Sequence, residues 1–235
     1  IRYGNGDLGL LYLRKFMNGD RLLCMPYFAR SANDGQSFSE PACCLSEEGY
    51  YVVNNDRLVR LKSGRIIFPL AYHGPSGAMP TPGALTVCYS DDDGRSFCMM
   101  NSFVRSPYND NVQLQEPGLY ELSDGRLWMF CRTAYGHQYQ CFSNDGGESF
   151  GELTPALRFT SPDSPMQVRS VHGYALAVFN PLGYSCVRDA CECWGSPKRT
   201  PFVLAFSDDG VNWEVTDKPC WEIHTDEIRH VYDPH

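Results

Sequence analysis

Ser90-Asp-Asp92-Asp-Gly94-Arg-Ser96-Phe97 is an eight-residue motif, Ser-x-Asp-x-Gly-x-Ser-aromatic, and the chain contains it four times. The other three copies cover residues 31–38, 143–150 and 207–213, the last being one residue shorter. Their first serines lie 59, 53 and 64 residues apart. Self-similarity at such a period is typical of arrays of similar structural units, including the blades of β-propellers. The repeat therefore predicts an array of at least four units.

The residue types within one copy explain the local structure that we expect. Ser, Asp and Asn side chains bond to backbone groups a few residues away, and Gly supplies the positive φ that a tight turn needs. Each copy follows a short apolar run of β-prone residues, such as residues 84–89. We therefore predict a turn between the third and fourth strands of each unit. The aromatic residue that ends each motif should be buried at an equivalent place: Phe38, Phe97, Phe150 and Trp213.

A second set of turns alternates with the motif, as in Leu61-Lys-Ser-Gly64-Arg65-Ile66. A Gly-containing turn between two apolar runs is typical of a hairpin, so each unit should contain two hairpins and four strands. No stretch has a sustained helical apolar period, and we predict an all-β protein. We expect one propeller domain over residues 1–235, with units at 1–54, 55–110, 111–160 and 161–220, and a partial unit at 221–235. Because the chain starts and ends abruptly, we also expect it to be incomplete.

Composition narrows the choice of partners and compartment. The net charge of −8 disfavours nucleic acids, which bind basic surfaces. No apolar run is long enough to span a membrane, and no signal peptide is visible. The eleven cysteines are odd in number and many lie within apolar strands. Reduced, buried thiols in a cytoplasmic protein are the better interpretation, without a structural metal. The sequence does not define an oligomeric state.

The four motifs resemble the Asp box, or BNR repeat, of the sialidase superfamily, whose members are six-bladed β-propellers. The resemblance therefore implies an all-β, six-bladed propeller of sialidase type, of which four Asp-box blades are visible. The resemblance extends over nearly the whole chain, and the chain is similar to sialidase-like BNR proteins of bacteria. The segments that carry it, besides the boxes, are Asn54-Asn55-Asp56-Arg57, Gln115-Glu116-Pro117-Gly118, Arg132-Thr133 and Lys198-Arg199-Thr-Pro201.

The likeness also implies a set of site residues. Glu116 and Arg132 hold the places of the glutamate that assists the nucleophile and of one arginine in the clamp on the substrate carboxylate. Arg199, eight residues before the last Asp box, is similar to another clamp residue. Tyr232 is the candidate nucleophile, although it lacks a clear family counterpart. The family's first clamp arginine also has no clear counterpart here.

The remaining candidates are polar residues for which an ordinary structural role is an open alternative. Asp20, in a hairpin-like Asn-Gly-Asp sequence, and Asp56 are rival candidates for the general acid. Arg57 follows Asp56 and could be its structural partner or a substrate-binding residue. Arg169 could line a central cavity or lie exposed on a strand. Each of these roles stays a prediction from sequence.

Three functions are compatible with these residues. The first is an exo-sialidase type of glycoside hydrolase that releases a terminal acidic sugar, with arginines on its carboxylate, because the arginine fork binds carboxylates bidentately. A Tyr/Glu nucleophile pair would serve in place of the usual carboxylate. The second is another sugar-acting enzyme, such as a lyase, and the third is a propeller that binds a glycan or protein without catalysis. All three need no cofactor, and the first two have a carbohydrate substrate.

Overall fold

The fold consists of short antiparallel strands. A computed structural model of the chain describes residues 1–78, 81–108, 113–181 and 202–216. Within these ranges no helix is long and apolar enough to cross a membrane. The strands are β1 (Leu8–Asn18), β2 (Arg21–Ser31), β3 (Ala42–Cys43), β4 (Tyr51–Val52), β5 (Val59–Arg60), β6 (Ile66–Tyr72), β7 (Ala84–Ser90), β8 (Cys98–Met99), β9 (Gln115–Glu121), β10 (Leu127–Arg132), β11 (His137–Ser143), β12 (Thr154–Thr160), β13 (Gln167–Val171), β14 (Tyr174–Phe179), β15 (Val203–Ser207) and β16 (Glu214–Val215).

These strands form four sheets that follow one another along the chain. The first contains β1, β2 and β3, and the second contains β4 to β8, in which both β4 and β5 pair with β6. The third and fourth contain β9 to β12 and β13 to β16. All pairs of named strands are antiparallel, so the all-β prediction is confirmed. Since β4 belongs to the second sheet, this sheet begins at Tyr51, before the unit boundary expected at residue 55.

The four Asp boxes lie at corresponding turns. In the second, third and fourth sheets the box joins the last two strands, and in the first sheet it joins β2 to β3. In the second box the Ser90 hydroxyl accepts a hydrogen bond from the backbone N–H of Gly94 at 2.8 Å, and the first and third boxes repeat this bond. Because strand direction alternates, the boxes share one edge of the sheets with the hairpins at 61–65 and 122–126. We call these ends of the strands the box edge and the other ends of the strands the opposite edge.

The box aromatics pack against the sheet that precedes their own. Phe97 contacts Phe28 of the first sheet, with ring centroids 5.2 Å apart, and Trp213 contacts Trp128 of the third sheet at 5.7 Å. Phe150 packs against the core shared by the second and third sheets. The expectation that Phe38 is buried was wrong, since 41% of it is exposed. The physical reason is that no described sheet precedes the first one, so its box aromatic has no apolar surface to cover.

The core lies between neighbouring sheets, in three clusters. The first and second sheets bury Phe28, Phe68 and Cys88, whereas the second and third bury Ile67, Leu119 and Met129. The third and fourth bury an aromatic group that includes Trp128, Phe159 and Trp213. The first strand of the third sheet, β9, contacts β6 of the second sheet and β13 of the fourth. Side chains of three sheets can therefore meet near β9, and the functional candidates lie there.

Candidate active site

Arg132 is the centre of a group of charged side chains. It ends β10 at the opposite edge, where its Nη1 donates to Glu116 Oε2 at 2.9 Å and its Nε donates to Asp163 Oδ1 at 2.8 Å. Its side chain is only 14% exposed. Burial alone would lower its pKa, but the hydrogen bonds to Asp163 and Glu116 outweigh burial and raise the pKa. Arg132 therefore stays charged in a partly desolvated place.

Glu116 reaches Arg132 through an irregular backbone. It is the second residue of β9, and the pairing of β9 with β10 shifts register between Phe130 and Arg132, where Arg132 pairs with Gln115. Glu116 has φ of 48°, in the left-handed region that non-glycine residues seldom adopt. Its side chain is 23% exposed. The bulge thus turns a glutamate out of a regular strand and onto the arginine.

Arg57 comes from the second sheet, in the segment between β4 and β5, and is only 4% exposed. Its Nη2 donates to the carbonyl oxygen of Met166 at 2.9 Å and its Nη1 donates to Gln167 Oε1. Burial, the largest effect, and the nearby Arg169 lower the pKa of Arg57 to about 10, against the opposing effect of Glu116 and Asp56. It is therefore still protonated at neutral pH. Its Nε makes no hydrogen bond with the described residues.

Gly118 allows Arg57 to approach β9. A Cβ atom at this position would lie 2.3 Å from the Phe130 ring and 3.1 Å from Arg57 Nη1. Arg57 also lies 5.8 Å from the centre of the Phe130 ring. A side chain larger than hydrogen at residue 118 would push the guanidinium away from the third sheet.

Asp56 and Arg169 add a second ion pair beside Arg57. Arg169 lies on β13 of the fourth sheet, and the two side chains approach to 2.7 Å. Gln167, also on β13, donates to the carbonyl oxygen of Asp56 at 3.2 Å while it accepts from Arg57. Hydrogen bonds and an ion pair therefore link the segment containing Asp56 and Arg57 to β13 of the fourth sheet, across β9 of the third sheet.

We call these six side chains, three arginines and three carboxylates, the charge cluster: Arg57, Arg132, Arg169, Asp56, Glu116 and Asp163. Their formal charges cancel. Its three acids all have positive φ, of 56°, 48° and 57° for Asp56, Glu116 and Asp163. Such residues cost of order 1 kcal/mol or more each and occur often at functional sites. The other described non-glycine residues with positive φ are Asp34, Asp93 and His172, which lie in turns, as Asp56 does.

The structure brings together five of the eight residues that the sequence predicts for the site: Glu116, Arg132, Asp56, Arg57 and Arg169. Asp20 lies exposed in the turn between β1 and β2, at the opposite edge, and no described residue pairs with its carboxylate. Arg199 and Tyr232 lie outside the described residues. Among the described residues, the partner of the Glu116 carboxylate is Arg132, and its predicted contact with Tyr232 stays a prediction.

Asp163 and Gln167 are the members of this network that the sequence does not indicate. Asp163 lies in Ser-Pro-Asp-Ser-Pro, between β12 and β13, which has the composition of an ordinary loop. The proline on either side of Asp163-Ser164 hints only at a constrained loop. Gln167 is a neutral residue at a strand start, for which no local pattern predicts a contact with residue 57.

A groove of about 460 Å³ reaches the cluster at Arg169 and runs along β5, β9 and β13 of the second, third and fourth sheets. Arg169 lies on it, together with Leu58, Tyr120 and Glu121. A larger cavity of about 600 Å³ lies at the outer strands of the first and second sheets, lined by Cys43, Cys98 and Met99. We place the site at the cluster rather than at this larger cavity, because only the cluster combines buried cations, carboxylates and strained backbone.

In the described ranges no group of three or more His, Cys, Asp or Glu residues has an arrangement suited to a metal ion. The seven cysteines within these ranges are free thiols: Cys24, Cys43, Cys44, Cys88, Cys98, Cys131 and Cys141. Burial raises the pKa of Cys44 and of Cys141 to about 12, so both are protonated at neutral pH. Neither is suited to act as a nucleophile.

The family model of the BNR repeat-like domain matches residues 3–221, so the chain belongs to this family. The resemblance to the sialidase superfamily is thereby confirmed. A comparison with curated proteins finds no match.

Several solved structures share the fold. A protein of unknown function from Dyadobacter fermentans has a TM-score of 0.66 at 16% identity, covering 96% of this chain and 64% of that one. A Hadza microbial sialidase has a TM-score of 0.62 at 15% identity, covering 89% of this chain and 42% of the other. An intramolecular trans-sialidase from Ruminococcus gnavus, in complex with oseltamivir carboxylate, has a TM-score of 0.57 at 19% identity, covering 95% and 50%. The chain thus spans less than two thirds of each of these structures.

Proposed function

We propose that the protein is a glycoside hydrolase of exo-sialidase type that releases a terminal acidic sugar at the charge cluster. The observation that carries this proposal is the convergence of Arg57, Arg132 and Arg169, from three different sheets, beside the strained Glu116. We further propose that the four sheets are four blades of a six-bladed propeller, with the first strand of each blade nearest the axis. The cluster would then lie at one end of that axis.

Arg132 is suited to bind the sugar carboxylate. Its guanidinium carries five N–H groups, of which Asp163 takes the one on Nε and Glu116 takes one on Nη1. No described residue hydrogen-bonds to Nη2, so a ligand carboxylate could meet the free N–H groups bidentately. Arg57, buried and protonated, adds positive charge nearby without leaving the protein. Arg199 is proposed as a further clamp residue.

Glu116 is proposed to draw the proton from a tyrosine nucleophile, for which Tyr232 is the candidate. A general base must come within hydrogen-bond reach of the phenol. In this arrangement the hydrogen bond from Arg132 Nη1, at 2.9 Å, holds the Glu116 carboxylate in place.

Of the two candidates for the general acid, Asp20 has the carboxylate that is better placed to meet a leaving group. The carboxylate of Asp56 is already held by Arg169 at 2.7 Å. Asp20 lies at the opposite edge, like the cluster, and no described cation is paired with it. We therefore propose Asp20 as the acid and a positioning task for Asp56.

The test uses the purified full-length protein and three methylumbelliferyl glycosides, of N-acetylneuraminic acid, of glucuronic acid and of galactose. The proposal expects fluorophore release from the first, less from the second and none from the third. Arg132→Lys should lower this rate, whereas the matched control Arg126→Lys, at an exposed hairpin of the same sheet, should not. Binding of the acidic sugar without release would instead support a binding propeller, and an unsaturated sugar product would support a lyase.

A further inference from the structure

Asp163 is the residue of the charge cluster for which neither the sequence pattern nor the proposed chemistry provides a role. It lies in the segment that leads from the third sheet into the fourth, whereas Arg132 ends the second strand of the third sheet. The two are 31 residues apart in sequence, and Asp163 Oδ1 accepts from Arg132 Nε at 2.8 Å. The side chains are 36% and 14% exposed, so the contact is only partly open to water.

The choice of nitrogen atom matters for what Arg132 can bind. The Nε–H group lies on the edge of the guanidinium near the chain, and the Nη groups lie toward its tip. A carboxylate held at Nε fixes the plane of the guanidinium and occupies the near edge, while the tip keeps its N–H groups. A hydrogen bond between charged groups is also short and directional. Asp163 is therefore in place to orient Arg132 without competing for the atoms that grip a ligand.

Asp163 has a strained backbone, and the contact of its carboxylate with Arg132 gives a reason for an aspartate at this position. With φ of 57° it occupies a region that glycine or asparagine adopts more readily. The segment is held in this shape locally, because Ser161 Oγ accepts from the N–H of Ser164 at 3.1 Å and Gln138 Nε2 donates to the Ser164 carbonyl at 2.7 Å. A glycine would relieve the strain, whereas an aspartate brings a carboxylate to Arg132.

We propose that Asp163 is a positioning residue that holds the guanidinium of Arg132 in the plane in which its Nη tip binds a ligand carboxylate. This inference rests on the proposed function, and it assigns to Asp163 a contribution to substrate affinity rather than to the chemical step. Glu116 is the other carboxylate on Arg132, and it occupies Nη1 at the tip. The two acids therefore have different tasks on one arginine.

Asp163→Gly and Asp163→Asn separate the backbone role of this residue from that of its carboxylate. Both residues tolerate positive φ, but only asparagine keeps an oxygen that can accept from Nε. We expect Asp163→Gly to raise KM for the acidic glycoside about tenfold, as loss of one charge-assisted hydrogen bond would, with kcat changed less than about threefold. Asp163→Asn should recover most of the loss in KM. Asp124→Asn is the matched control. Asp124 Oδ2 accepts a hydrogen bond from Arg126 Nε at 2.7 Å, in a hairpin that lies away from the cluster.

A second measurement follows the arginine itself and needs no substrate. The Nε–H signal of Arg132 in ¹⁵N spectra, assigned by its loss in Arg132→Lys, should exchange slowly with water in the wild-type protein. It should exchange quickly in Asp163→Gly and slowly again in Asp163→Asn. An unchanged Arg132 signal in Asp163→Gly, or a KM that is equal in the glycine and asparagine variants, would overturn the inference. Wild-type protein that neither binds nor cleaves an acidic sugar, while the Arg132 signal responds as expected, would overturn the proposed function instead.

Discussion

The box edge and the charge cluster use the same chemical group, the carboxylate, in opposite ways. In the third Asp box, Asp145 accepts hydrogen bonds from the Ser143 hydroxyl at 2.7 Å and from the backbone N–H of Ser149 at 3.0 Å, all within one turn. In the charge cluster, Glu116 and Asp163 bind an arginine 16 and 31 residues away, and Asp56 binds one 113 residues away. A box acid completes its own turn, whereas a cluster acid has its partner only after the sheets have assembled.

The difference extends to electrostatics. The box acids accept from neutral donors and are largely exposed, and these hydrogen bonds lower the pKa of Asp92 and Asp209. The cluster acids balance three arginines at the meeting point of three sheets. A structural turn needs one satisfied carboxylate, but a cluster of cations is held together only by opposite charge. Such an arrangement is retained for a ligand more readily than for stability, because ion pairs with buried members add little net stability.

The largest effect is expected where a box aromatic joins two sheets. Trp213 is 6% exposed and packs on Trp128 and Phe159, so Trp213→Ala should lower the free energy of unfolding by about 3–5 kcal/mol. Phe38, which is 41% exposed, is the matched control, and Phe38→Ala should change it by about 0.5 kcal/mol or less. Urea unfolding followed by fluorescence and circular dichroism measures both. Equal losses would mean that the boxes do not couple neighbouring sheets.

The next effect concerns the charge cluster and is measured as activity per folded molecule. Glu116→Gln keeps the size and an acceptor oxygen but removes the negative charge that a general base needs. We expect kcat on the acidic glycoside to fall about 100-fold, within the range for loss of a general base. Glu121→Gln is the control, because Glu121 lies on the same strand and its carboxylate accepts a hydrogen bond from the backbone N–H of Lys62, away from the arginines of the cluster. If the two variants have the same kcat, Glu116 is a structural partner of Arg132.

A smaller effect is expected for a single box acid. Asp145→Ala removes an acceptor for two hydroxyl groups and two backbone N–H groups of its turn. The free energy of unfolding should fall by about 1–2 kcal/mol, the lower end for hydrogen bonds to charged groups because the turn is exposed. The neighbouring Asn144→Ala should have almost no effect. Activity per folded molecule should be the same in both, since the box edge lies away from the cluster.

The smallest effect is the pH dependence of the stability that Asp145 contributes to the third Asp box. Burial raises the pKa of Asp145, but hydrogen bonds from Ser149, Ser143 and Glu148 outweigh it and lower the pKa to about 2. Because the folded pKa lies below the unfolded value of about 4, the stabilisation is complete above pH 4 and is lost as pH falls toward 2. The wild-type protein should therefore exceed Asp145→Asn in stability at pH 6 and lose that advantage near pH 2. A difference that persists in acid would exclude ionised Asp145 as its source.

The box edge was predictable from sequence because its interactions are local. Ser90, Asp92 and Gly94 specify their turn within five residues, and the apolar runs before each box specify the strand that precedes it. The exposure of Phe38 was not predictable, since it depends on whether another sheet packs there. The same reasoning separates Phe97 from Phe38, although their motifs are alike.

The charge cluster was predictable only in part. Glu116 and Arg132 could be paired because a family resemblance includes both, and Asp56, Arg57 and Arg169 were candidates without a defined geometry. The ion pair between Asp56 and Arg169, and the burial of Arg57 against Gln167, depend on how the second and fourth sheets meet across β9. No sequence pattern indicates Asp163, because its partner, Arg132, lies 31 residues away on another strand. Residues that act across sheets need the assembled fold before they can be assigned.

The most direct test of the account is the binding of an acidic sugar to Arg132, measured by titration calorimetry with N-acetylneuraminic acid and its methyl ester. The ester has the same ring but lacks the negative charge. The account predicts that the wild-type protein and Arg126→Lys bind the acid alike, that Arg132→Lys binds it at least about tenfold more weakly, and that the ester binds poorly to all three. Equal affinity of the wild-type protein and Arg132→Lys for the acid would contradict the account.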